Sequence, residues 1–342
     1  MNRKSLSPIT DAPLARALVV IAALVVILAG MRVAQPILVP FLMATFLAVL
    51  TSPAVRWLVR YKIPTGVAIG GVVVLVFGVL YGIGSLVATS ADEFFGRIPE
   101  YERQLDQWIG LLRERAPWLA TDLRSSLQSM APPDSFISFA GRLFSGLGSF
   151  LLAIVLTIFI LIFMLYEAQV IQDKLHRALG NNHSVEYAQR FTRSVQRYLV
   201  IKSLVSALTG LVVWGFLELI NIDYPILWAT FAFLMNFIPN IGSLIAAVPA
   251  IILATIQQGI PGMLISMAGY GAINAIIGNL LEPRMMGRSL DLSTLVVFVS
   301  LIFWGWVLGP VGTLLAVPLT VVVKIGLEVY PKTRWLAILL SQ

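Results

Sequence analysis

The amino-acid sequence reads as an all-α integral membrane protein, on three grounds. Of 342 residues, 58% are hydrophobic and only 12% charged, whereas a soluble domain carries about a quarter charged residues. Five runs, residues 33–55, 63–91, 143–166, 224–281 and 292–323, contain no Asp, Glu, Lys, Arg or His. Each exceeds the roughly 20 residues a helix needs to cross hydrocarbon. The net charge of +7 is spread over the short segments between these runs, as expected for loops on the cytoplasmic side of a bilayer. It forms no basic face, so nucleic acid is not an expected partner; the lipid bilayer is.

The elements follow in order. Helix 1 spans about 15–31, behind Arg3, Lys4 and Arg16, and reads as a retained first span because no small-residue cleavage site follows it. Helix 2 runs from about Pro36, a residue suited to a first helical turn, to Leu50, with Pro53 as its stop. Helix 3 covers about 65–90. Arg56, Arg60 and Lys62 occupy the loop before it with no acid among them, which places that loop and the N-terminus in the cytoplasm.

Residues 1–91 thus form a three-helix unit, and residues 92–142 the one long polar insertion, with eight acids and six bases. Parity puts the insertion outside the cytoplasm. Phe94, Ile98, Tyr101, Leu105, Trp108 and Leu112 recur at three and four residues, as do Leu119, Leu123, Leu127 and Met130 after Pro117, predicting amphipathic helices. Helix 4 fills 143–166. Residues 167–202, with six bases and three acids, read as two cytoplasmic helices broken at Gly180, Asn181 and Asn182. The second feeds helix 5 at about 198–221, and residues 203–342 form the core of the protein, for about eight hydrophobic helical segments in all.

Two of those segments are expected to be broken or re-entrant hairpins. The 58 uncharged residues 224–281 are interrupted at Phe237-Ile238-Pro239-Asn240-Ile241-Gly242, and the last run is interrupted at Gly309-Pro310-Val311-Gly312. The stretch from Gly242 to Pro249 parallels that from Gly312 to Pro318 with one residue deleted, a weak internal repeat. Freed backbone groups are tolerated at membrane depth only where they are buried or line a wet cavity, and paired breaks in repeated units point to a transporter's substrate site. A tight loop between two tilted full spans is the alternative.

Polar residues gather at the same places. Asn236 and Asn240 flank Pro239, and Asn274 and Asn279 lie on helix 7, at about 261–281; each amide both donates and accepts. Helix 7 ends at Glu282-Pro283-Arg284-Met285-Met286-Gly287-Arg288, where Glu282 is expected either to act on a solute or to pair with Arg284 or Arg288 at the interface. Trp304 and Trp306 are placed in an interfacial aromatic belt. The candidate transport path is therefore Asn236, Pro239, Asn240, Gly242, Asn274, Asn279, Glu282, Arg284, Arg288, Gly309, Pro310 and Gly312.

The Phe-Ile-Pro-Asn-Ile-Gly element at 237–242, the Glu-Pro-Arg-Met-Met-Gly-Arg element at 282–288 and the Trp-Gly-Trp-Val-Leu-Gly-Pro-Val-Gly-Thr-Leu-Leu-Ala-Val-Pro element at 304–318 resemble those of the AI-2E (autoinducer-2 exporter) family. The order of helices and the insertion after helix 3 extend the resemblance over nearly the whole chain. It implies a bacterial inner-membrane exporter, active on the quorum-sensing molecule autoinducer-2 in some members and proposed to exchange sodium or lithium for protons in others. It further implies a homo-oligomer, a pentamer, with a static scaffold and an elevator-like moving part.

The residues themselves favour a secondary transporter of a small polar solute, uncharged or weakly acidic. A sodium (or lithium)/proton antiporter is the alternative, with only Glu218 and Glu282 as carboxylate candidates in the core; a non-transporting membrane scaffold is another. No Gly-x4-Gly-Lys-Ser/Thr motif is present, so direct drive by ATP is not expected. With no cysteine, two histidines and no Ser-His-Asp arrangement in the spans, neither enzymatic activity nor a metal or cofactor is expected.

Overall fold

The computed structural model describes residues 13–115, 153–168, 182–239, 242–286, 292–329 and 333–341. Among these, every regular element is a helix: α1 (Pro13–Val33), α2 (Gln35–Arg60), α3 (Thr65–Arg115), α4 (Ala153–Ala168), α5 (Asn182–Leu219), α6 (Pro225–Met235), α7 (Gly242–Ile273), a π-helical segment (Asn274–Leu281), α8 (Glu282–Met286), α9 (Thr294–Leu314), α10 (Ala316–Val329) and α11 (Arg334–Leu339). Five helical stretches are long and apolar enough to cross a membrane, and each buries only 28% to 39% of its most apolar window within the chain. The remaining apolar surface is what hydrocarbon covers, so the chain is an all-α integral membrane protein.

Several boundaries differ from the sequence reading, for identifiable reasons. Pro53 does not stop α2. It cannot donate to the carbonyl of Val49, but Ser52 Oγ donates to that oxygen at 3.1 Å and Gln196 Nε2 at 2.9 Å, so the helix continues to Arg60. Helix 3 does not end at Ser90 either. Its apolar stripe carries on through Phe94 and Tyr101, both buried against Leu217, Leu227 and Trp228, and the single helix α3 is 51 residues long. The second half of the insertion, to residue 142, lies outside the described residues.

Two of the buried clusters frame the first hairpin and the helices beside it. In one, α2, α3 and α4 share a core of Ala44, Leu47, Val55, Ile69, Val72, Leu161 and Leu165. In the other, α5 packs on α6, and α6 on α7, around Val213, Leu217, Trp228, Ala246, Ala250 and Tyr270.

Helix α5 serves as a ruler, because residues 198–219 rise about 32 Å at 1.5 Å each. At its Asp223 end, Asp223 N donates to Gln257 Oε1 at 3.3 Å and Gln258 Nε2 donates to Ile220 O at 2.6 Å. The start of α6 and residue 258 of α7 therefore meet, and the chain between them is a helical hairpin. Its tip lies far from this root: Phe237 meets Phe46 of α2 edge to face, with centroids 6.2 Å apart.

The second hairpin is rooted at the opposite end. Leu292 and Val321 pack with Tyr198 and Leu199, and Ser293 N donates to Leu340 O at 3.1 Å. Its turn, at Gly309, reaches Gln35 at the start of α2. The hairpins thus enter from opposite ends of α5 and pass each other: Ile238 of the first tip packs against the cluster that Trp304, Val307 and Leu308 of the second belong to.

Candidate functional site

The polar groups of the core meet where the first hairpin tip crosses α5 and the segment from α7 to α8. On α5, Lys202, Ser206 and Thr209 are buried at i, i+4 and i+7, one face of a helix. Opposite them, Ser266, Tyr270, Asn274, Gly278 and Glu282 recur every four residues along α7, the π-helical segment and α8. Asn236 closes the gap from the hairpin tip: its Nδ2 donates to Ser206 Oγ at 3.0 Å. From the returning arm, Ser243 Oγ donates to Asn274 Oδ1 at 2.9 Å.

Asn236, Ser243, Tyr270, Asn274 and Gly278 line a cavity of about 10 Å³ with Thr209 and apolar neighbours. That is room for one water molecule at most. Among the described residues, the Tyr270 and Ser266 hydroxyls are buried without a hydrogen-bond partner. Buried polar groups of this kind are nearly always paired, and the exceptions here mark a seam whose polarity exceeds its internal bonding.

One charged pair heads the seam. Lys202 Nζ donates to Glu282 Oε1 at 2.5 Å, with the lysine side chain 2% exposed and the glutamate 16%. Glu282 is therefore not paired with Arg284, which is exposed on the same short helix. The π-helical turn before Glu282 inserts a residue into the helical register, a feature frequent at functional sites.

The structure brings together Asn236, Asn274 and Glu282 from the sequence-predicted path. Asn279 is exposed on the other side of the π-helical segment, because four-residue spacing from Asn274 selects Gly278 and not its neighbour. Pro239 sits in the hairpin tip and Gly242 begins the returning arm. Asn240 and Arg288 lie outside the described residues. Lys202, Ser206, Thr209, Ser243 and Tyr270 are members that the sequence reading did not single out. Lys202 falls at the end of the basic 167–202 segment, but its spacing to Ser206 and Thr209 in an otherwise apolar helix is a readable sign of its place in the core.

The second break has its own geometry. Gly309 has φ 71° and ψ −157°, and Gly259 has φ 69° and ψ −153°, a region only glycine adopts without strain. A Cβ on Gly312 would lie 2.0 Å from Trp304 O and 2.6 Å from Leu308 Cβ; one on Gly262 would lie 2.6 Å from both Ala254 O and Gln258 Cβ. The two turns share this glycine geometry, offset by fifty residues. Gly259-Ile260-Pro261-Gly262 is thus a geometric counterpart of Gly309–Gly312 that the sequence reading did not single out. Pro310, which follows Gly309, is exposed. Trp304 leaves the expected aromatic belt: it is buried between the arms of the hairpin, where its Nε1 donates to Thr320 Oγ1 at 3.0 Å. Trp306 stays exposed, with the Arg32 guanidinium 5.1 Å over its ring.

Oppositely rooted helical hairpins around a buried polar seam, in a chain whose outer faces are apolar, define a multi-pass membrane transport protein. The sequence profile described as AI-2E family transporter matches residues 21–332, and the chain belongs to that family. The chain is 39% identical to the Escherichia coli protein named "Putative transport protein YhhT" over 325 residues, 94% of this chain and 93% of that one. A Haemophilus influenzae protein of the same description is 42% identical over 340 residues, 95% and 96% of the two chains. The E. coli AI-2 transport protein TqsA is 36% identical over 325 residues, 94% of each. The family is one of transporters, and these relatives are bacterial proteins.

Proposed function

We propose that the chain is a secondary transporter of the bacterial inner membrane that exports a small, hydroxyl-rich solute such as autoinducer-2. The observation that carries this reading is the seam itself: neutral amide and hydroxyl groups, two of them without a partner among the described residues, buried at the crossing of two hairpins rooted at opposite ends. Such groups can replace the water of a polyol without demanding a charge. A cavity with room for one water corresponds to a closed state, so a solute would require the hairpins to move.

The first hairpin, with α7 and α8, is the candidate moving part, and α1–α4 the candidate scaffold of an elevator-like cycle. The apolar outer faces of that scaffold would meet lipid and further copies of the chain in a homo-oligomer, for which the resemblance implies a pentamer. Cytoplasmic N- and C-termini agree with the distribution of basic residues. Sodium/proton exchange is the weaker reading, because hard cations prefer charged oxygens and the Glu282 carboxylate is already engaged by Lys202.

The test is counterflow of labelled autoinducer-2 in proteoliposomes, comparing the native chain with Asn274→Leu. Removing that amide strands the Ser243 hydroxyl, a loss of about 1–3 kcal/mol, so exchange is expected to fall about tenfold or more. Native vesicles that exchange no autoinducer-2 would remove this substrate. Equal exchange by both chains would remove the seam as its path.

A further inference from the structure

We propose that Lys202 and Glu282 form a proton-operated counter-ion exchange: protonation of Glu282 releases the Lys202 ammonium to hold an oxyanionic form of the solute. This inference rests on the transporter reading above and names the charge state in which the solute crosses.

The geometry carries the proposal. Lys202 is one of the most buried large side chains in the protein, yet it stands on a helix that spans the apolar core. A charge in that position persists only with a partner, and the structure gives it Glu282. The pair lies at the head of the stripe that leads through Ser206 to Asn236 and the cavity. Among the described residues, the other titratable groups placed by Glu282 are Tyr198, one turn before Lys202 on α5, and exposed Arg284 on its own helix; Lys324 on α10 pairs with Glu328 at 4.0 Å.

Charge balance fixes the stoichiometry. In the paired state the lysine's positive charge and the carboxylate's negative charge cancel. An anion that takes the carboxylate's place leaves one negative charge too many, and one proton, forming the O–H bond of neutral Glu282, restores zero. Lys202 keeps its protons throughout. The seam thus accepts one proton with each anion and remains uncharged in both states, the arrangement with the least desolvation penalty in hydrocarbon. Solute and proton cross together, and the combined gradient sets the direction.

A vicinal diol becomes an anion when it binds borate, so one labelled solute supplies both charge states. The experiment measures autoinducer-2 flux in proteoliposomes of the full chain, with and without borate, while a dye in the lumen reports protons. Borate is expected to raise flux about tenfold or more, the advantage of a charge-assisted over a neutral hydrogen bond, with one proton per solute and no dependence on a clamped membrane potential. Glu282→Gln is expected to abolish the proton signal. Because a single substitution can impair folding, the charge-free Lys202→Met/Glu282→Gln chain, checked by its elution profile, is the second variant; it is expected to lose both the proton signal and the borate effect. Flux that ignores borate and moves no proton overturns the inference and leaves the transporter reading intact. A borate effect that survives in the double variant overturns it as well. Absence of flux in either buffer overturns the substrate reading and the inference with it.

Discussion

Replacing Gly242 by alanine is expected to destabilise the protein by about 3 kcal/mol or more, at or beyond the upper end of overpacking effects. An added Cβ would lie 1.7 Å from the carbonyl oxygen of Met235 and 2.6 Å from its carbon. Both are backbone atoms, so no rotamer change relieves the clash, and the two arms of the first hairpin must separate. Gly312→Ala meets the Trp304 oxygen at 2.0 Å and is expected to act alike on the second hairpin. Gly215, on α5, is the control: nothing lies within 4 Å of its Cβ position, so alanine there should stabilise the helix by about 0.5–1 kcal/mol. Thermal midpoints of the purified variants in detergent decide the matter. A Gly242→Ala midpoint equal to that of the native chain would mean that the hairpin crossing opens freely.

The second large effect is at the buried ion pair. Lys202→Met leaves the Glu282 carboxylate without its counter-charge, and breaking a buried pair from one side costs about 3–5 kcal/mol. Replacing both partners, with Lys202→Met and Glu282→Gln together, removes the charge along with its partner and is expected to recover most of that loss. The signature is therefore non-additive: two damaging single substitutions and a milder double. Midpoints that simply add would show that the two side chains do not depend on each other for stability.

Much of the fold was legible because bilayer geometry imposes a length that apolar runs must meet. The uncharged runs mark the spans, and Pro239 with Gly242 marks the first hairpin tip. What stayed hidden depended on contacts between distant residues. Pro53 looks like a stop until Gln196, 147 positions from Val49, is seen to accommodate it. The Gly259 turn was legible only as a helix start at Pro261, because glycine and proline advertise a break but not its angle. The π-helical register of residues 274–281 has no sequence sign, and with it went the choice between Gly278 and Asn279. Glu282 was found as a charge, but its partner was not, since helical periodicity places residues on a face without saying which face lies opposite.

Asp223 joins three elements at one residue. Its carboxylate accepts from Tyr101 Oη at 2.8 Å and lies 3.6 Å from Arg97 on α3; its carbonyl accepts from Trp228 Nε1 on α6 at 3.2 Å; its N–H reaches Gln257 on α7. No one of these helices can fray there without releasing the other two. The root of the first hairpin, the turn after α5 and the middle of α3 should consequently open as a single cooperative unit, with amide protons on all three exchanging at a common, slow rate while the hairpin tip exchanges independently.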